Sequence, residues 1–211
     1  MTLDLILLKN FRLYENAELA LGPGFNLIRG ANGTGKTSLL EGVSALFSGY
    51  SFRKTHDRHL TRKDCSGYYL AGRIRRKNEV CRMEVFYQRE KGREILLDHK
   101  KADSFKDLMI RFPYISFEPE DRELITGEPE LRRRFFDRMI SYLEPLYYEE
   151  LIRYQRLLKQ RNRLLREKSL ENIDFWEQEL AVSAHQIAGR REAYVALFNG
   201  ALREASLPEG A

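Results

Sequence analysis

The sequence predicts an α/β protein: a glycine-loop lobe built on a β-meander, followed by a helical lobe containing an antiparallel helix pair. Three observations carry that expectation. Residues 30–38 read GANGTGKTS between an apolar run and an amphipathic segment. Residues 68–98 alternate between apolar and polar side chains. Ile173, Trp176, Leu180, Ala184, Ile187, Arg191, Val195, Phe198 and Leu202 step by three or four.

In chain order, Leu3–Leu8 and Ala17–Leu21 read as short strands, with a tight turn at Gly22-Pro23-Gly24. Phe25–Arg29 is expected to form a third strand leading into the glycine loop. Leu39, Leu40, Val43, Leu46 and Phe47 then predict a helix over about 36–48. The runs Tyr69–Ile74, Val80–Tyr87 and Glu94–Asp98 make the meander, with turns at Lys77-Asn78 and Lys91-Gly92. A helix is expected around Ser104–Arg111 and a short strand over Tyr114–Phe117. From Glu118 onward only helices are expected. The first starts at Glu128-Pro129-Glu130, where proline and acids suit a helix N-terminus. The second covers about 145–168, and the long apolar stripe then pairs with it. The domain expectation is therefore 1–115 for the glycine-loop lobe and 116–211 for the helical lobe.

Gly30, Ala31, Asn32, Gly33, Thr34, Gly35, Lys36 and Thr37 match GxxxxGK[ST] at every position, between strand-like and helical flanks. Glycines let backbone amides wrap around phosphate oxygens, and a helix N-terminus favours the anion. Lys36 is expected to reach the β and γ phosphates, and Thr37 to hold Mg²⁺. The implied ligand is a nucleotide with Mg²⁺. Hydrolysis needs a further acid at the end of an apolar strand. Ile95-Leu96-Leu97-Asp98 has that form but reads as the end of a hairpin strand.

The chain of 211 residues has 43% hydrophobic and 32% charged residues and a net charge of +5, ordinary for a folded protein. The positive charge is clustered. Residues 50–82 carry a net +7 and residues 151–168 a net +6, leaving −8 for the rest. Such clusters fit a polyanion partner, and Arg53, Arg73, Arg75 and Arg76 are the candidate contacts to it. Arg132, Arg133 and Arg134 are expected to pair with the acidic stretch 118–130. Cys65 and Cys81 lack metal-ligand spacing and fit reduced thiols. His56 and His59 fit surface residues. No stretch has the length of a membrane span, and the expected location is cytoplasmic.

Asn10-Phe11-Arg12 followed by GANGTGKTSLLE resembles the heads of SMC and ABC-type DNA-repair ATPases. Ser51-Phe52-Arg53, Phe117–Asp121, Gly127–Asp137 and Tyr154–Asn162 narrow the resemblance to the N-terminal part of the RecF family of bacterial DNA replication and repair proteins. That resemblance implies an ABC-type ATPase head lobe incomplete in its C-terminal strands. It also implies ATP-dependent homodimerisation and binding at single-strand/double-strand DNA junctions. Recombinase loading with other recombination mediators, and a part in the SOS response, follow from it too. The family's signature motif and acidic strand lie beyond a helical lobe of this kind. A fragment or truncated product that binds ATP without hydrolysing it is therefore expected. Two alternatives share the loop: an SMC-like ATP clamp without turnover, and an ATPase fused to a nuclease.

Overall fold

The computed structural model describes residues 1–53, 55–76, 79–102, 108, 111–169 and 171–205. These form two compact units, Met1–Ser116 and Phe117–Ala211. In the first unit β1 (Thr2–Phe11), β2 (Tyr14–Ala20), β3 (Gly67–Arg76), β4 (Glu79–Gln88), β5 (Gly92–Leu97) and β6 (Lys100–Lys101) form one sheet, ordered β2-β1-β3-β4-β5-β6. Every described pairing in it is antiparallel.

Alternation sets the two faces. Tyr68, Leu70 and Ile74 of β3 are buried with Met83 and Val85 of β4, while Arg73 and Arg75 point the other way and are exposed. The buried face is covered by α1 (Lys36–Ser48), whose Leu39, Leu46 and Phe47 join Ile6, Leu8 and Phe11 of β1 in one core. A second short helix, α2 (Asp57–Leu60), seats Leu60 in the same core. Asp57 of α2 accepts hydrogen bonds from Tyr68 and Arg93, and burial together with that carboxylate pushes the Tyr68 hydroxyl pKa well up.

Gly67 begins β3 where the neighbouring strand comes too close for a side chain. A Cβ there would lie 2.0 Å from the Tyr87 carbonyl oxygen, which no rotamer change relieves. Gly67→Ala is therefore expected to cost about 1–3 kcal/mol, the usual range for overpacking. Denaturant unfolding checks it, and an unchanged midpoint would contradict the close approach.

Two expected strands do not form. Residues 25–30 and 113–118 have no strand structure. Asn26 turns its side chain onto its own turn instead, accepting from the Gly22 N–H (2.8 Å) and donating to the carbonyls of Gly22 and Gly24. Among the described residues neither segment joins the sheet ladder. Phe25, Leu27 and Ile115 are left exposed, while Tyr114 still stacks on Phe47. A strand is a pairing, and side-chain alternation alone does not supply the partner. The expected turn at Lys77-Asn78 lies outside the described residues. So does the expected helix Ser104–Arg111, apart from Leu108 and Arg111.

The second unit is helical: a 3₁₀ turn (Pro119–Arg122), α3 (Glu123–Thr126), α4 (Pro129–Leu143), α5 (Pro145–Arg166) and α6 (Ile173–Glu204). Pro129 and Pro145 each open a helix, where the missing N–H costs nothing. The long stripe of α6 packs against α5 in antiparallel order. Arg153 pairs with Glu179, and Arg161, further along α5, pairs with the earlier Glu177. Ile140, Tyr147 and Ile187 form the small core. Arg191, in the middle of the apolar stripe, makes a two-pronged pair with Asp137 (2.7 and 2.8 Å), which also accepts from Tyr147.

Arg132–Arg134 correct the expected acid pairing in part. Arg132 donates to the carbonyls of Leu124 (3.1 Å) and Gly127 (3.0 Å), closing the end of α3 rather than meeting carboxylates. Among the described residues, only Arg134 of the three pairs with an acid, Glu130, at 3.7 Å and exposed.

Candidate nucleotide site

The glycine loop sits in front of α1. Gly33 and Gly35 adopt φ +83° and +96°, left-handed values that a side chain resists. Gly35 has a second constraint, because its added Cβ would meet the Tyr14 ring at 3.1–3.4 Å. Tyr14 fixes the turn by donating its hydroxyl to the Gly35 carbonyl (3.2 Å). Thr34 closes the loop internally, its hydroxyl donating to the Ala31 carbonyl (2.9 Å).

Lys36 folds back over this loop and donates to the carbonyls of Gly30 (2.8 Å) and Ala31 (2.7 Å). The helix behind it has no side-chain cap and no acid in its first turn. Its first amides and its dipole are thus uncompensated by protein groups. An ammonium, glycine-freed amides and an uncapped helix end all face one place, and phosphate suits that set. Thr37 is exposed in the first turn, and its hydroxyl makes no hydrogen bond among the described residues. That leaves it available to a cation held beside phosphate. The exposed Ala31 and Asn32 complete the loop's rim.

Behind the loop lies an ion pair that the motif does not announce. Glu41 of α1 is only 1% exposed. Its carboxylate takes two hydrogen bonds from Arg12, at 2.7 and 3.0 Å, and a third from the Ser51 hydroxyl at 2.7 Å. Arg12 also donates to the His59 carbonyl (2.9 Å), and Asn10 and Arg12 both hold φ +52° to aim the turn. Ser51 in turn accepts the Arg53 N–H (3.1 Å). Asn10–Arg12, the loop helix and Ser51–Arg53 therefore meet at one buried carboxylate. A charged residue inside the apolar run of α1 was the available signal for it.

Of the four candidate DNA arginines, Arg73 and Arg75 share the outer face of β3 beside Asp4, while Arg53 lies in the loop after α1. Arg75 is held by Asp4 (2.6 Å), whose carboxyl it keeps below its ordinary pKa. Arg76 reaches the Arg111 carbonyl at 3.4 Å. Arg73 is exposed on the outer sheet face, and Arg53 is exposed in the loop after α1. Asp98 sits in the β5–β6 turn and accepts the Arg82 N–H (2.8 Å), a hairpin role. Among the described residues there is no cluster of three or more metal-ligating side chains, and no helix is long and apolar enough to cross a membrane.

Residues 6–194 match a family model described as an AAA domain. The chain belongs to that family. A DNA replication and repair protein RecF from Protochlamydia amoebophila (strain UWE25) is 38% identical over 191 residues, covering 90% of this chain and 53% of the relative. A solved structure of the recombination mediator protein RecF with ATP, in the RecFOR pathway, is 30% identical with a TM-score of 0.85. It covers 92% of this chain and 54% of that one. A structure from work on ATP-driven dimerization and DNA-stimulated activation of SMC ATPases aligns with a TM-score of 0.53 at 16% identity, over 65% of this chain and 98% of that one. That likeness is one of fold. The resemblance to RecF and the head-type α/β fold are thereby established. The chain spans about half the length of the curated relatives it matches.

Proposed function

We propose that this chain is the ATP-binding N-terminal part of a RecF-type protein of recombinational DNA repair and replication. Loop residues 30–37 hold ATP, with Lys36 on the phosphates and Thr37 on Mg²⁺. The chain associates with gapped or junction DNA and, as an ATP-dependent homodimer in the cytoplasm, assists recombinase loading with other recombination mediators. The observation that carries the reading is the convergence of Lys36, the left-handed glycines and the uncapped start of α1, on a chain whose curated relatives are RecF proteins.

Binding rather than turnover is the activity proposed for residues 1–211 on their own. Glu41, the buried acid of α1, is already engaged by Arg12 and Ser51, and Asp98 serves a hairpin. Residues 1–115 act as the ATP-binding lobe. Equilibrium binding of a fluorescent ATP analogue, with and without Mg²⁺, tests the nucleotide claim. Saturable binding that Mg²⁺ tightens is expected, whereas no binding at millimolar nucleotide would refute it. Steady release of phosphate by these residues alone would refute the division between binding and turnover.

A further inference from the structure

The basic segment 151–168 lies mainly in α5, and the structure sorts its cations into two sets. Arg153 and Arg161 face α6 and are spent on Glu179 and Glu177. Arg156, Lys159, Arg163 and Arg166 are all exposed, and none holds a carboxylate among the described residues. Among the described residues Arg166 makes one hydrogen bond, donating to the Asn162 carbonyl of its own helix (3.2 Å). These four positions recur at three- and four-residue steps and so share one face. Exposed Gln155 and Asn162 lie within the same stripe.

Lys159 and Arg163 are four apart, and Arg156–Lys159 and Arg163–Arg166 are three apart. Like charges at these spacings repel along a helix. A face that carries this repulsion without intervening acids is matched by an external polyanion. The inner face of α5 is occupied, with Tyr147 and Leu157 buried and Leu151 and Tyr154 packed on the small core. The stripe therefore lacks the broad apolar face that insertion into a lipid surface needs. Between Gln155 and Arg166 it runs about 16 Å at 1.5 Å per residue. Over that length one strand of duplex DNA presents about five phosphates, at 3.4 Å each. Four cations with two amide donors among them fit that spacing and chemistry.

We infer that the exposed face of α5, formed by Arg156, Lys159, Arg163 and Arg166 with Gln155 and Asn162, is a surface that tracks a DNA phosphate backbone. The inference rests on the DNA-binding part of the proposed function. It places the contact on the helical unit rather than on Arg75 and Arg76, which have partners of their own.

The test is fluorescence anisotropy of the whole chain with a labelled duplex carrying a single-stranded gap, across a salt series. The variant Arg156→Ala/Lys159→Ala/Arg163→Ala is expected to bind at least about 100-fold more weakly near 0.1 M salt. Its log–log salt slope should be shallower by about 3, roughly one per lost phosphate contact. Arg153→Ala/Arg161→Ala, which removes the α6-facing pair, should keep the slope. Alanine is the best helix former, so the triple variant should retain its helical circular dichroism. If that variant loses helix, the single charge reversal Lys159→Glu is read in its place, with a loss of at least about tenfold expected. No DNA binding by the unaltered chain overturns the DNA reading of the protein, and this surface with it. DNA binding that the stripe variants leave intact overturns the surface alone. Competition by polyglutamate as effective as by DNA overturns DNA as the occupant.

Discussion

Lys36→Ala is expected to weaken ATP binding by about 100-fold while leaving thermal unfolding within about a degree of the unaltered chain. Among the described residues the Lys36 ammonium bonds only to two carbonyls of its own loop. It contributes little to the core, which is held by the face of α1 carrying Leu39, Leu46 and Phe47. Against phosphate the same ammonium makes charge-assisted hydrogen bonds, each worth about 1.5–3 kcal/mol. The loss of one or two of these gives the stated factor at about 1.4 kcal/mol per tenfold. Lys36→Arg is expected to fail nearly as badly. A planar fork does not reproduce a point charge placed between the Gly30 and Ala31 carbonyls. Thr37→Ala separates the metal from the phosphate contacts: affinity without Mg²⁺ should be kept, and the tightening by Mg²⁺ lost. Isothermal titration measures all three. An affinity for Lys36→Ala within threefold of the unaltered chain would falsify the assignment of Lys36 to the phosphates.

The loop and α1 were legible from the sequence because each residue there acts through local backbone geometry. The glycines supply left-handed φ, the lysine follows directly, and the apolar spacing of Leu39, Leu46 and Phe47 sets the helix face. The meander was legible because period-two alternation is itself the burial pattern of Tyr68, Leu70 and Ile74. The segments 25–29 and 114–117 misled for the complementary reason. Their residues favour a strand, but a ladder needs a neighbouring edge, and Asn26 instead closes a turn on Gly22 and Gly24. Arg132 misled through charge, although Arg134 does pair with Glu130. Nearby acids suggested ion pairs, whereas the carbonyls ending α3 were closer in space to Arg132. The Glu41 ion pair was hidden by distance along the chain, since Arg12 lies 29 residues away and no pattern reports a contact of that separation.

That ion pair carries the largest stability effect expected in the first unit. Glu41→Ala should lower stability by on the order of 3 kcal/mol, the cost of stranding one member of a buried pair. Arg12 is 24% exposed and keeps the His59 carbonyl, so water and that bond recover part of the loss. For a unit of this size the change corresponds to roughly 10 °C in Tm. Removing the charge alone, in Glu41→Gln, should cost less, because the amide oxygen can still accept from Arg12 or from Ser51. The double variant Arg12→Met/Glu41→Leu is the sharper measurement. Replacing a whole buried pair by apolar groups of similar volume is often neutral, so it should be more stable than Glu41→Ala despite carrying an extra substitution. Ser51 loses its acceptor in both variants, and with it the anchor of the Arg53 N–H. The segment after α1 should therefore gain amide exchange in both, even where Tm recovers in the double variant. If Glu41→Ala unfolds within a degree of the unaltered chain, the carboxylate does not join the three segments energetically. If the double variant is the less stable of the two, Arg12 contributes through contacts other than Glu41.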